Sequence, residues 1–404
     1  FYWYFPAEKP VAPSPSQTPL IIWLQGGPGS SSMLGLFNQH GPFSASSNKE
    51  LVRRKVAWTR HYDVIYLDQP VGAGFSYAAP GFNASRTLQR AQITLSPEEC
   101  RAAGYVTTEV EVGRDVLSFL ARFYQIYPSL RERPLYVTGE SYAGKFAPAI
   151  ARSIIRHNHL SAPTDHIPLA GIAIGDGLSV PEVQVLYHAK IALAFGLISP
   201  SQAEALQKLC NESSALALRQ RYEEARQKRD MMFTRFSEYT GGVNWYDIRK
   251  RDVPKNNTLV DAFLEQPSVV SSLNANGRTW FSDPNTKMCL YDDIMQSVAD
   301  LFPAILSHCR VLLFQGQFDF RDGPMGNEAW IRQLDWPGRD GFNSAPRKPW
   351  RIYPEPGGLS GYATEYGNLS HVVQLSAGHF AGMDSPEATL QMLDRWIHGR
   401  AIAD

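Results

Sequence analysis

Neither sign of charge is in excess, since lysine plus arginine number 39 and aspartate plus glutamate 39 in a chain of 404 residues. A balanced chain has no net field to attract nucleic acid or an anionic membrane, and the one dense basic run, Arg53-Arg54-Lys55, is too short to change that. Long apolar runs are missing as well: none reaches the about 18 residues of a membrane-spanning helix. There is no His-Glu-X-X-His and no Cys-X-X-Cys, and the carboxylates are scattered, so neither a metal nor another cofactor is expected. Cysteine is scarce. Cys100, Cys210, Cys289 and Cys309 allow three pairings, of which Cys210 with Cys289 is favoured because both flank one irregular segment. Internal repeats are absent, and low complexity is confined to residues 11–19, whose spaced prolines read as a hairpin loop.

What the chain does have is 44% hydrophobic residues, enough for a large core as one domain with an insertion or as two domains. Aromatic residues reach 12%, which fits pockets lined with rings. Compact apolar runs recur at 20–24, 64–67, 135–138, 172–174, 311–314 and 372–375, with helical patterns at 112–127, 145–155 and 385–396. Runs without polar alternation are strands buried on both faces, and their alternation with helices implies an α/β fold with a mostly parallel central sheet. Phe1 to Pro6 reads as a strand already under way, so a leader and a pairing strand are expected upstream. From 199 to 282 the rhythm breaks into a charged helical stretch and then loses periodicity, which reads as a largely helical cap inserted between core segments 1–198 and 283–404. Sequons at Asn83, Asn211, Asn256 and Asn368, beside an even cysteine count, favour glycosylation on a secretory route ending outside the cell, in a lysosome or in a vacuole.

The chemistry starts at Gly139-Glu140-Ser141-Tyr142-Ala143-Gly144, between an apolar strand and an apolar helix. A serine there sits on a sharp turn at the sheet end, the arrangement of a nucleophile elbow. A serine hydroxyl attacks a carbonyl only when a base takes its proton and a carboxylate orients that base. In the α/β-hydrolase order the acid and then the histidine follow the serine, each after a strand. Asp319, after the run 311–314, and His379, after the run 371–375, meet that requirement. A rival serine, Ser76 in Gly74-Phe75-Ser76-Tyr77-Ala78, fails because Pro80 and Gly81 prevent a following helix. The oxyanion needs two backbone N–H donors, for which Tyr142 and the Gly26-Gly27 loop, with Gly27 as donor, are the candidates.

Four ordered motifs then carry a family resemblance. Trp23-Leu24-Gln25-Gly26-Gly27-Pro28-Gly29-Ser30-Ser31, Asp68-Gln69-Pro70-Val71-Gly72-Ala73-Gly74-Phe75-Ser76-Tyr77, Val137-Thr138-Gly139-Glu140-Ser141-Tyr142-Ala143-Gly144-Lys145 and Gly378-His379 are similar to those of serine carboxypeptidases. Gln25 and Ile174-Gly175-Asp176-Gly177 are most similar to the vitellogenic-like branch. The resemblance implies an α/β-hydrolase core and removal of C-terminal residues from peptides and proteins at acidic pH through an acyl-enzyme. It implies that protonated Glu140, with the Gln25 side chain and the Gly26 N–H, holds the substrate's terminal carboxylate. Two carboxylates a hydrogen bond apart share one proton, which gives the serine's acidic neighbour a purpose. It also implies that Phe380 to Asp384 line the leaving-residue pocket. Gln25 replaces the family's frequent Asn, Gln39 stands where a Glu commonly pairs with the acidic neighbour, and Ser30 replaces a frequent Cys. Peptide or protein C-termini are the expected partners, and the oligomeric state is left open, a homodimer included. An acyltransferase on the same scaffold and a non-catalytic binding or protective protein are the alternatives. A silent form opened by proteolysis in the charged segment 219–229 belongs with the latter.

Overall fold

The computed structural model describes all residues except 12, 13, 15, 16, 78–94, 252–257, 279, 281, 282, 353–357 and 404. They form two compact units, one of Phe1–Gly139, Ala149–Ala170 and Lys255–Tyr291, the other of Glu140–Pro148, Gly171–Pro254 and Asp292–Asp404. The segment 199–282 therefore contributes to both, its first part to the second unit and the remainder to the first.

The first unit holds β1 (Tyr2–Phe5), β2 (Leu20–Leu24), the small hairpin of β3 (Phe43–Ala45) and β4 (Leu51–Arg53), β5 (Asp63–Leu67) and β6 (Leu135–Glu140) up to Gly139. Their order in the main sheet is β1-β5-β2-β6. Strand β2 runs parallel to both neighbours, with Ile22 opposite Ile65 and Val137. Every residue of β2, β5 and β6 is buried, the reason their sequences show unbroken apolar runs. Strand β1 pairs antiparallel with β5 rather than with β2. Residues 11–19 thus join strands that are not neighbours, and the hairpin reading fails because Pro-rich composition marks a loop without saying which strands it connects. Helix α1 (Glu109–Ile126) starts where the Thr108 hydroxyl accepts the Glu111 N–H and buries Val112, Val116, Leu120 and Phe123 along one face.

The cysteine expectation is corrected here. Cys100, in the short helix Pro97–Ala102, is bonded to Cys289, at the end of the short helix Pro284–Cys289, across a sequence separation of 189. Cys210 instead faces an apolar cluster in the second unit, and burial pushes its thiol up to about 12, as it does that of Cys309. Flanking position in sequence says nothing about which way a helical side chain points. Because the bridge closes a long loop, the double variant Cys100→Ser/Cys289→Ser is expected to lose about 2–5 kcal/mol of stability in a denaturant titration. Cys210→Ser is expected to leave the protein's mobility on a non-reducing gel unchanged.

The second unit begins with Glu140 and takes in the first turns of helix α2 (Ala143–Leu160). It contains β7 (Leu169–Gly175) from Gly171 on, helices α3 (Pro200–Leu218) and α4 (Tyr222–Thr240), then β8 (Arg310–Gly316), β9 (Lys348–Arg351), β10 (Leu359–Tyr366), β11 (Leu369–Gln374) and helix α5 (Pro386–Ile397). Strand order is β7-β8-β11-β10-β9, parallel from β7 to β11 and antiparallel beyond. The helical stretch inferred within 199–282 is a pair: α3 opens with a Ser199/Gln202 capping box, and α4 stops at Gly241, whose φ of +66° ends a helix without strain. The pair packs Leu206, Cys210, Met232 and Phe236 around Phe320, with the Phe236 and Phe320 rings stacked at 3.9 Å. Phe320 adjoins Asp319, so the inserted helices pack against the residue next to a candidate catalytic acid.

Candidate active site

Ser141 lies at the junction of β6 and α2 with φ +62°, a left-handed conformation that costs a non-glycine residue about 1–3 kcal/mol. Three backbone hydrogen bonds hold it there. Its N–H donates to Gly175 O at 2.9 Å, and its carbonyl accepts from Gly144 N at 2.9 Å and Leu178 N at 3.0 Å. A Cβ on Gly144 would lie 2.7 Å from Leu178 N, which explains the glycine three residues after the serine. Tyr142 donates its hydroxyl to Asp293, and the fully buried Lys145 pairs with the same carboxylate at 3.1 Å while donating to the carbonyls of Asp293 and Gln296. The residue after the serine is thereby anchored at its side chain.

Asp319 and His379 meet after β8 and β11, parallel neighbours with Val372 opposite Phe314. His379 Nδ1 lies 2.9 Å from Asp319 Oδ2, which also accepts the Asp322 N–H at 3.1 Å, while Oδ1 accepts the Arg321 N–H at 2.8 Å. Both side chains are buried. Burial disfavours the imidazolium, but the charge and hydrogen bond of Asp319, with Asp322 and Glu140 behind it, outweigh that and hold the His379 pKa above its ordinary value. His379 Nε2 is buried and has no hydrogen-bond partner among the described residues. Asp319 and His379 are therefore joined, whereas no hydrogen bond links His379 to Ser141; such bonds often tighten only with substrate bound.

Sequence reading missed the brace behind this pair. Trp245 O accepts the N–H groups of Phe320 and Arg321 at 3.1 and 3.0 Å, and Tyr246 O accepts that of His379 at 2.7 Å. The Tyr246 ring packs 4.9 Å from the imidazole and 5.5 Å from Phe380, which is half-buried. A Cβ at Gly378 would come 2.6 Å from Tyr246 O, so only glycine lets the histidine loop approach. Arg229, expected to be accessible as part of 219–229, is instead buried and paired with Asp322 at 3.4 Å. Residues 219–221, Glu223, Glu224 and Gln227 are exposed, whereas Ala225 is buried. The visible signal was Trp245-Tyr246 inside the least periodic stretch, where nothing else calls for rings.

Asp176 was read only as a branch marker, yet it lies within 4.8 Å of Asp319 and His379, counting one ligand-type atom of each. Glu140 is buried at the end of β6. In the first unit, Gln25, Gly26 and Gly27 follow β2. Gln25 Oε1 accepts the Trp23 indole N–H at 3.2 Å, and its own backbone N–H donates to Ser32 Oγ at 3.1 Å. Asp68 anchors this loop, taking the Ser31 hydroxyl and the Ser32 N–H, and burial raises its pKa to about 6 against those donors. Gly27 has φ +119°, which only glycine adopts readily. Gln39 is buried, and Ser76 donates its hydroxyl to Asp68 O. Among the sequons, Asn211 is exposed on α3, Asn368 donates its amide to Leu306 O at 2.8 Å, and Asn83 and Asn256 lie outside the described residues.

A serine on a left-handed strand-to-helix turn, with an aspartate and a histidine after later parallel strands, defines an α/β hydrolase. Comparison with known proteins makes the class specific. A family model for serine carboxypeptidases matches residues 1–399, and the chain belongs to that family. The probable serine carboxypeptidase CPVL of Homo sapiens is 32% identical over 99% of this chain and 80% of its own length. Serine carboxypeptidase-like 50 of Arabidopsis thaliana is 34% identical over 100% and 85%. Among solved structures, the prohormone-processing carboxypeptidase Kex1(Δ)p of Saccharomyces cerevisiae superposes with a TM-score of 0.85 at 26% identity, covering 100% of this chain and 87% of that one. The chain is a serine carboxypeptidase acting on peptides. Among the described residues no helix is long and apolar enough to cross a membrane.

Proposed function

We propose that Ser141 is the nucleophile, His379 the general base and Asp319 the acid that orients it, and that the reaction passes through an acyl-enzyme. The observation that carries this reading is the buried Asp319–His379 hydrogen bond, with Nε2 left for a hydroxyl, beside a serine held on a left-handed turn. Ser141 Oγ attacks the last peptide carbonyl as His379 takes its proton. The oxyanion is assigned to the N–H groups of Tyr142 and Gly27. His379 then returns the proton to the leaving amine, and water, activated by the same imidazole, releases the acyl group. Gln25, Gly26 and Glu140 are assigned to the substrate's terminal carboxylate, and Phe380 to the leaving residue. The disulfide supports a secretory route, ending outside the cell, in a lysosome or in a vacuole.

Two protons limit the pH range from opposite sides. His379 must be neutral to act, so its raised pKa moves the acid limb of kcat to higher pH. Binding needs one proton between Glu140 and the substrate carboxylate, so KM worsens as alkalinity removes it, by up to about tenfold per pH unit. Glu140→Gln carries a donor at every pH. It is expected to raise KM for a blocked dipeptide at pH 5 and to flatten the KM profile above pH 6, with kcat changed less. A wild-type KM that is flat from pH 4 to 7 would refute the shared proton.

A further inference from the structure

Asp176 is a buried acid with no part in the mechanism above. It follows β7 at φ +46°, donates its backbone N–H to Phe314 O at 2.8 Å and accepts the Gly316 N–H on Oδ1 at 2.9 Å. The backbone at the end of β8 therefore fixes the direction of its carboxyl. The titratable groups facing it are Asp319 after β8, His379 after β11 and Glu140 at the end of β6.

We propose that Asp176 is a positioning residue for the Asp319–His379 pair, present as a neutral carboxylic acid that directs its proton toward Asp319. This rests on the reading of that pair as the catalytic acid and base. Two buried carboxyls so close share a single negative charge, and the hydrogen-bond donors decide which one bears it. Asp319 receives three donors, the N–H groups of Arg321 and Asp322 and the His379 ring. Among the described residues Asp176 receives one, from Gly316, and its Oδ2 accepts from no donor. The charge therefore settles on Asp319 and the proton on Asp176. Burial, then the charge of Asp319, against the Gly316 donor, keeps the Asp176 pKa well above the ordinary carboxylate range, in agreement. The neutral acid restrains Asp319 without adding a second negative charge beside His379, which would strengthen the imidazolium and weaken the base at acid pH.

The test compares wild type with Asp176→Asn and Asp176→Ala in the full chain. The wild-type minus Asp176→Asn infrared difference spectrum at pH 7 is expected to contain a carboxylic-acid carbonyl band. Asparagine preserves the acceptor for Gly316 and supplies a neutral donor, so the acid limb of its kcat profile is expected to stay in place. Alanine removes both, and a misplaced Asp319 is expected to lower kcat by about tenfold to a hundredfold. An ionised-carboxylate signal in place of the acid band, or an acid limb that moves to lower pH in Asp176→Asn, would overturn the proposal. So would an equimolar divalent ion in the purified enzyme that Asp176→Asn loses, since the three residues would then be ligands. The infrared band needs no turnover, so it survives a failure of the catalytic assignment, whereas retained hydrolysis in Ser141→Ala would sink that assignment alone.

Discussion

Ser141→Ala is expected to lower kcat for a blocked peptide by about 10⁶ while leaving KM nearly unchanged, because the residues of such a triad act as a unit. Release of the C-terminal residue, followed by mass spectrometry, measures it, and retained binding of the uncleaved blocked peptide to the variant distinguishes loss of the nucleophile from loss of binding. The alanine inherits the φ of +62°, so no gain in stability accompanies the lost activity. Ser141→Gly is equally inactive but relieves the left-handed strain, and should be more stable than Ser141→Ala by about 1 kcal/mol. Hydrolysis at wild-type rate in either variant would move the nucleophile elsewhere.

Asp319→Asn is expected to lower kcat by about 10⁴ with little change in KM. The reason is local. Asp319 Oδ2 accepts from His379 Nδ1, and both of its oxygens also face backbone N–H groups. An amide has one acceptor oxygen, so its NH2 must point either at the ring, selecting the tautomer protonated on Nε2, or at the Arg321 N–H, which costs a hydrogen bond. The first outcome disables the base, and the second keeps the ring's tautomer only by setting the amide NH2 against the Arg321 N–H, so the first prevails. The variant also removes the charge that raises the His379 pKa, so any residual activity should show its acid limb at lower pH than wild type. A titration of the His379 ring by NMR that is unchanged in Asp319→Asn would contradict this account.

The readable part of this protein was the part built from short-range rules. Continuous apolar runs predict strands buried on both faces, and β2, β5, β6, β7, β8 and β11 stand where those runs lie, extended by a residue or more at most ends. Ser141, Asp319 and His379 were candidates because each follows such a run, and a loop at a strand's carboxyl end is determined by the strand. The antiparallel β9 and β10 went unread, since Lys348–Arg351 is mostly exposed and Leu359–Tyr366 mixes small, polar and aromatic residues without a clear period. The disulfide and the brace failed for a related reason. Cys100 with Cys289, Trp245 with Phe320 and Arg321, and Arg229 with Asp322 are contacts between distant segments, which local pattern does not encode.

Order, spacing and residue chemistry were enough to read an α/β-hydrolase core and to nominate its nucleophile, acid and base, and the resemblance of four sequence motifs supplied the serine carboxypeptidase class. Only the tertiary structure decided what surrounds them: which cysteines join, that the inserted helices stack on the ring beside Asp319, and that a second buried acid, Asp176, lies against the pair. The physical reason is that pKa and orientation depend on desolvation and on donors a few ångströms away. Those neighbours come from β7, from the Trp245-Tyr246 segment and from α4, brought together only when the chain is folded.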